Sequence, residues 1–366
     1  MLLEKTKIYG VDNVGQSSPT LTRTDAAVGL GYTIGTSEIQ SDFDRCFPWC
    51  EMKEVTDEFG NVFIRVPKFY TKITKNANGT YKHQISGCRY DGFGTLFVDG
   101  KGNELDYILI GKYEGSYDSE HSRMMSKSGQ TVKVNITLPN YRKACMAVGE
   151  GYQQYDFLID AIIKELFMIE FATTNSQAIM KGFTHADNTA ALITGHTDNV
   201  KTASGSYNNN HDLEVDPWVD TTCNTDALHA CKYRGIENPW GNVWKWCDGV
   251  NFKKEKIFLC ESPTEYESDK YDAPYTYVGD RPLSGGYVTT ITPFAKNPLL
   301  GFVTATGGGA SSYYSDNYYV AETGTVLNCG GSWGSGDGAG LWRWSGNFSS
   351  SGANGSFGGR LCYKPL

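Results

Sequence analysis

The sequence predicts an α+β chain, rich in loops, and three observations carry that expectation. One stretch has clear helical periodicity, with Leu158, Ile162, Leu166 and Ile169 on a single face. Another, Phe59 to Ile73, alternates as a strand does, with Val62, Ile64 and Val66 set against Phe63, Arg65 and Pro67. Beyond Gly182, long polar stretches (184–230, 253–281 and 301–323) are separated by short apolar runs. Loops of that length inside a compact domain are functional or carry small elements of their own. Hydrophobic residues at 40% and aromatics at 13% suffice for a packed core, which excludes global disorder.

Taken in order, the first forty residues are polar and rich in Ser, Thr and Gly, and read as an extended arm or short strands. The chain divides into an arm or attachment segment, 1–58, and one domain, 59–366. Pro67 places the first strong strand at an edge or at its own end. Leu105 to Ser116 is a second strand candidate. The helix follows, with Asp156 as its N-cap, Asp160 and Lys164 as an i,i+4 ion pair, and a stripe wide enough to pack on a sheet.

A formal charge of −8 argues against a general nucleic-acid binder, which would present a basic face. The longest apolar region, Phe157 to Phe171, is interrupted by Asp160, Lys164, Glu165 and Glu170, so no membrane span is expected. The opening MLLEKTKIYG is charged by its fourth residue, and synthesis in the cytoplasm without a cleaved signal is expected. The ten cysteines are scattered. Cys46 with Cys50 and Cys223 with Cys231 match no zinc-knuckle spacing, so the thiols read as buried free ones. Among metal-ligand types, His211, Glu214 and Asp216 lie close together but in a polar loop, which reads as solvated. No metal and no cofactor is expected.

Two motifs tempt and fail. Gly330-Gly331-Ser332-Trp333-Gly334 spells GxSxG, yet glycines follow where a helix must start, and the last histidine, His229, lies upstream. Gly334-Ser335-Gly336 with Ala339 fits a dinucleotide fingerprint but has no helix to open and no acid at the right distance.

Three segments carry a resemblance. YRGIENPWGNVWKWCDG (Tyr233 to Gly249), VLNCGGSW (Val326 to Trp333) and GGRLCY (Gly358 to Tyr363) resemble, in the same order, the GNVWEW, RGGSW and GFRLV segments of formylglycine-generating-enzyme-type domains. These are a branch of the C-type lectin fold. The resemblance spans about residues 59–366 and implies small antiparallel sheets with one or two core helices, the region from Ile136 to Phe167 standing where those domains have theirs. It implies that Trp244, Trp246 and Trp333, joined by Trp342 and Trp344, are scaffold aromatics that hold irregular loops to a sheet; an indole buries about 200 Å² and can satisfy its N–H at an edge. It argues against the oxidase chemistry of that family, which uses a cysteine pair: Leu341 to Phe357 contains no cysteine, and Cys362 lacks its partner. A calcium-dependent lectin is disfavoured because Glu237-Asn238-Pro239 scrambles the required order. Lys245, standing where relatives carry an acid, weakens a structural metal.

The branch it most resembles is the variable protein of diversity-generating retroelements, of the major tropism determinant type. There, asparagine codons copied with adenine errors reach Ser, Gly, Asp, Arg, Phe, Tyr or His, but not Lys, Glu, Gln, Met or Trp. Between Cys329 and Arg360 the chain has no Lys, Glu, Gln or Met. The resemblance implies a variable region at about 328–361, with Trp333, Ala339, Trp342, Trp344, Ala353 and Gly359 as frame. Ser332, Gly334, Ser335, Gly338, Arg343, Ser345, Asn347, Phe348, Gly352, Asn354, Gly355 and Ser356 would be the ligand-facing positions. Tyr313, Tyr314, Tyr318 and Tyr319 are candidate flanking contacts. Such Tyr, Ser, Gly and Asn composition is that of antibody paratopes.

The function so implied is a non-catalytic, hypervariable receptor-binding adhesin of a phage or prophage tail. Its partners would be a macromolecule on a bacterial surface and, through the N-terminal region, other tail proteins. Receptor binders of this kind are often homo-trimers. An oxidase relative and a structural virion protein without ligand are the alternatives.

Overall fold

The computed structural model describes residues 2–206 and 224–365. His211, Glu214, Asp216 and Cys223 lie outside the described residues. Among those described, the chain is mostly β and loop-rich, with a helical turn at Leu2–Lys5 and two longer helices, Leu138–Met146 and Phe157–Phe171. No helix is long and apolar enough to cross a membrane.

The Phe157–Phe171 helix is where periodicity places it. Asp156 Oδ1 accepts the Ile159 N–H at 2.8 Å, satisfying one of the free donors at the helix start. The helix is buried on every side, not on a stripe alone. Its polar residues are all matched: Lys164 pairs with Asp160 within the helix, while from elsewhere His83 Nδ1 lies 2.8 Å from Glu165 and Arg234 Nε donates to Glu170 at 2.8 Å.

Four β-sheets of four or more strands surround it among the described residues, where small antiparallel sheets were expected. The largest has nine strands, is centred on Trp244–Lys253 and Val326–Cys329, and includes parallel pairs such as Asn317–Val320 with Trp344–Gly346. A five-stranded sheet runs Tyr152–Gln154, Leu361–Tyr363, Tyr107–Gly111, Val62–Pro67, Lys53–Thr56, so the strand ending at Pro67 is internal. Proline is accommodated there because it is the last residue of the strand.

The expected boundary at residue 58 does not separate an arm from a domain. Strand Ile8–Val14 pairs with Tyr81–Ser86, and Lys53–Thr56 pairs with Val62–Pro67. Tyr9, Val11, Phe43 and Trp49 are buried in the same core as the central helix. Arg23 donates to the Ile169 and Glu170 carbonyls at 2.6 and 2.5 Å, placing a cation at the negative end of that helix. The arm reading failed because its apolar residues are sparse, and their partners lie far along the chain.

All described cysteines are free thiols, and Cys46, Cys145, Cys231, Cys247, Cys260, Cys329 and Cys362 are buried. Burial raises the Cys362 thiol to about 12, which makes it inert.

Candidate ligand-binding surface

The wall behind the surface is built first by the turn before Trp244. Asn238, Gly241 and Asn242 take positive φ there. The two asparagine side chains and the following lysine close on one buried carboxylate: Glu114 Oε2 accepts from Asn238 at 3.3 Å and also from Asn242, and Lys245 Nζ lies 3.1 Å from Glu114 Oε1. Lys245 also donates to the Gly241 carbonyl at 2.8 Å. Burial lowers its pKa, opposed by Glu114. An internal ammonium therefore holds this turn together.

The tryptophans fasten the C-terminal segment to that wall. Trp246 Nε1 donates to the Ile136 carbonyl at 3.0 Å, and its ring meets Phe357 edge-on at 5.2 Å. Trp344 stacks on Phe302 at 4.7 Å, donates to Asp160 Oδ2 at 3.0 Å, and lies 3.7 Å beneath the Lys164 ammonium. Trp342 is buried against Phe167, with its backbone N–H accepted by Asp316 Oδ2 at 2.7 Å. Trp244, Trp246, Trp342 and Trp344 are thus all buried anchors. Trp333 is only half-buried; its backbone N–H donates to the Asn242 carbonyl at 2.8 Å, so it is tied by its main chain rather than as a core indole.

Sequence patterning gave no sign of one further clamp. Arg281 stacks on Phe252 at 4.0 Å and donates to the carbonyls of Lys254, Gly346, Gly324 and Ala321 at 2.8, 2.9, 2.9 and 3.2 Å. Its five donors in a rigid fork suit it to tying three loops at one point.

Two loops emerge from this frame, Trp333 to Asp337 and Asn347 to Ser356. Between them runs a stack: the Arg343 guanidinium lies 5.1 Å from the Trp244 ring and 5.7 Å from that of Tyr319. Arg343 donates to the Gly338 carbonyl at 2.8 Å, and Trp244 donates its backbone N–H to Ser356 at 2.8 Å, so each loop is tied to one part of the stack.

The twelve expected ligand-facing residues divide. Gly334, Asn354 and Gly355 are exposed, and Ser335, Asn347, Phe348, Gly352 and Ser356 are half-buried. Phe348 leans on Phe357 at 4.4 Å. Four others are interior, which corrects the sequence reading. Ser345 is wholly buried because its strand neighbours Trp344 and Gly346 are held in the middle of the large sheet, with Asn328 opposite it. Arg343 is 8% exposed, closed over by its two aromatic neighbours, and burial lowers its pKa to about 10. Ser332 is buried, its N–H donating to Ser335 Oγ at 2.9 Å. Gly338 is buried beneath Arg343.

The tyrosines divide likewise. Tyr319 is exposed and Tyr313 half-buried, whereas Tyr314 and Tyr318 are core residues, Tyr318 accepting from Arg281 at 3.4 Å. Ala339 and Gly359 are buried frame, but Ala353 is exposed. Ser349, Ser351 and Asp337 are exposed too, and their position on the same loops as Gly334 and Asn354 is the signal that could have found them.

Backbone geometry separates glycines free to vary from those that are not. A Cβ on Gly334 or Gly355 would meet no heavy atom within 4 Å, whereas one on Gly338 would lie 2.3 Å from Arg343 Nη1. Replacing Gly334 or Gly355 by tyrosine is expected to change unfolding free energy by less than about 0.5 kcal/mol. Gly338→Tyr is expected to lose about 1–3 kcal/mol by overpacking. Urea titration of the three variants reads the difference.

No family model matches the chain, and no curated protein does. Among solved structures it is similar to a Major Tropism Determinant U1 Variant, with 11% identity and a TM-score of 0.33, covering 99% of this chain and 84% of that one. It is similar also to a Major Tropism Determinant P3c Variant, with 11% identity and a TM-score of 0.30, covering 98% and 72%. A likeness of that degree carries no argument about fold or function.

Proposed function

We infer that the chain is a non-catalytic ligand-binding protein of the C-type lectin type. In this reading the loops Trp333 to Asp337 and Asn347 to Ser356, with Tyr319 between them, contact a macromolecule on a bacterial surface, and the protein serves as a receptor binder of a phage or prophage tail. The observation that carries it is the contrast within one segment. Trp342 and Trp344 are fixed in the core, while Gly334, Asn354 and Gly355 stand open and can accept other side chains. A rigid frame with exchangeable small polar residues is what adaptable recognition requires, since ordering the loops costs little at the moment of binding.

Diversification belongs to the same proposal, at a narrower set than composition gives: Gly334, Ser335, Asn347, Phe348, Gly352, Asn354, Gly355 and Ser356, with Ser332, Gly338, Arg343 and Ser345 as invariant support. The N-terminal strands, built into the core, would present an attachment surface to neighbouring tail proteins from a folded body.

Randomising those eight positions, displaying the intact chain and selecting on whole bacterial cells tests the reading. Folded binders with altered cell preference are expected. The proposal fails if no clone is enriched, or if every folded clone binds the same cells as the parent.

A further inference from the structure

The loop surface has a charged floor. Arg343, sandwiched between the Trp244 and Tyr319 rings, is mostly covered, but its nitrogens are not equally engaged. Nη1 donates to the Gly338 carbonyl at 2.8 Å. Nε is buried without an acceptor. Nη2 has no acceptor among the described residues either, yet it is not shut away from solvent, so it is the donor that reaches the surface.

Nor does any carboxylate pair with this guanidinium among the described residues. Asp316 acts on it from the interior, but burial holds that carboxyl well above the usual carboxylate range, and its Oδ2 is engaged by the Trp342 backbone N–H. Asp337, next to Gly338 in the chain, is paired with Lys181 at 2.7 Å. The cation at the floor is therefore left without a counter-charge.

Two other arginines show what its empty side fits. Arg142 gives Nε to Asp248 Oδ2 at 2.8 Å and Nη2 to Oδ1 at 2.5 Å, and Arg234 gives the same two nitrogens to Glu170. Nε and Nη2 form the edge that matches the two oxygens of a carboxylate. In Arg343 that edge is unused, and a covered cation with idle donors is costly unless something completes it. The aromatic sandwich fixes the plane of the fork before a ligand arrives, so little ordering is left to be done on binding. Tyr319, 52% exposed, is the neighbour free to turn aside and bare Nε.

The depth of the fork selects among carboxylates. A carboxylate at the end of a flexible stem can enter between the loops. One borne directly on a sugar ring brings the ring against Tyr319 first, and a phosphodiester is flanked on both sides by its own chain. We propose that Arg343 is the anchor of the loop surface and takes a glutamate side chain from an acidic polypeptide segment of the partner. This rests on the reading of these loops as the binding face and names the chemistry that they meet.

NMR on the intact, isotope-labelled chain tests it, following the Arg343 Nε–H signal identified by its contacts to the Trp244 and Tyr319 rings. The probes are the blocked tripeptides acetyl-Gly-Glu-Gly-amide and acetyl-Gly-Gln-Gly-amide, with methyl glucuronide and dimethyl phosphate. The glutamyl peptide is expected to shift the signal saturably. The glutaminyl peptide, of the same shape without the charge, is expected to bind about tenfold more weakly or worse. Arg343→Lys keeps the charge but not the fork, and is expected to lose about tenfold in affinity for the glutamyl peptide. Should that variant not fold, the parent's preference for the glutamyl over the glutaminyl peptide decides alone. The proposal is overturned if the glutamyl peptide leaves the signal unmoved, if the glutaminyl peptide binds as tightly, or if folded Arg343→Lys binds like the parent. Tighter binding of the glucuronide or the phosphate would give the fork to an acidic polymer of another kind and overturn the assignment to a polypeptide. Cell selection with randomised loops leaves Arg343 unchanged and is read independently: cell-binding clones from a parent that ignores the glutamyl peptide would keep the surface and reduce Arg343 to a support.

Discussion

Replacing Arg360 by methionine is expected to cost the folded chain a large share of its stability. The residue is 1% exposed. Its guanidinium donates to the carbonyls of Gly111 and Lys112 at 2.7 and 2.9 Å, and to those of Glu237 and Asn238 at 2.5 and 3.2 Å. One side chain from the closing GGRL segment thus joins the end of the Tyr107–Gly111 strand to the turn that precedes Trp244. Methionine can fill the space but donates nothing, leaving four carbonyls to find other partners in a buried place. A buried acceptor that loses its donor costs about 1–3 kcal/mol, so several left unsatisfied together cost several kcal/mol. Against a total stability of about 5–15 kcal/mol, that is a large share. Arg360→Lys keeps the charge but not the fork, and is expected to fall between. Arg45, whose side chain is 81% exposed, is the control: Arg45→Met is expected to stay within about 0.5 kcal/mol of the parent. Urea unfolding monitored by tryptophan fluorescence separates these cases. A midpoint for Arg360→Met equal to that of Arg45→Met would show that the four bonds contribute nothing.

Arg360 also shows where reading the sequence stops. Its segment was recognisable as a closing strand, yet nothing in GGRL says that the arginine turns inward. The central helix shows the same limit. Leu158, Ile162, Leu166 and Ile169 announce it, because periodicity is a property of the helix alone. That Asp160, Glu165 and Glu170 are buried as well depends on Trp344, His83 and Arg234, which sequence spacing cannot supply. In the C-terminal segment the indoles were legible as anchors, since so large an apolar ring among glycines needs a wall. Ser345 and Arg343 were misplaced for the opposite reason. Serine and arginine are surface residues by habit, and only the pairing of Trp344–Gly346 between Val326–Cys329 and Asn317–Val320 puts this stretch inside. Arg281 was missed altogether: four of its five acceptors are backbone carbonyls, and carbonyls leave no mark on a sequence.

Trp344→Ala is expected to lose about 3–5 kcal/mol, the range for emptying a buried aromatic site. The loss has three parts: the stack on Phe302, the ring beneath the Lys164 ammonium, and the indole N–H that Asp160 accepts. Trp344→Phe restores a ring to the stack and removes only the donor, so its cost is expected near 1–2 kcal/mol. The consequence for the surface is separable from the consequence for stability. Ser345 and Gly346 pair with Asn328, Tyr319 and Val320, and Asn347 to Ser356 continue directly from them. If the indole is what immobilises this loop, amide exchange in residues 347–356 should quicken in Trp344→Ala more than in the distant strand Tyr70–Lys75, even under conditions where both proteins remain folded. In Trp344→Phe the loop should stay as protected as in the parent. Equal protection of the loop in the alanine variant would mean that its order comes from Arg281 and Phe357, and that the tryptophan serves the core alone.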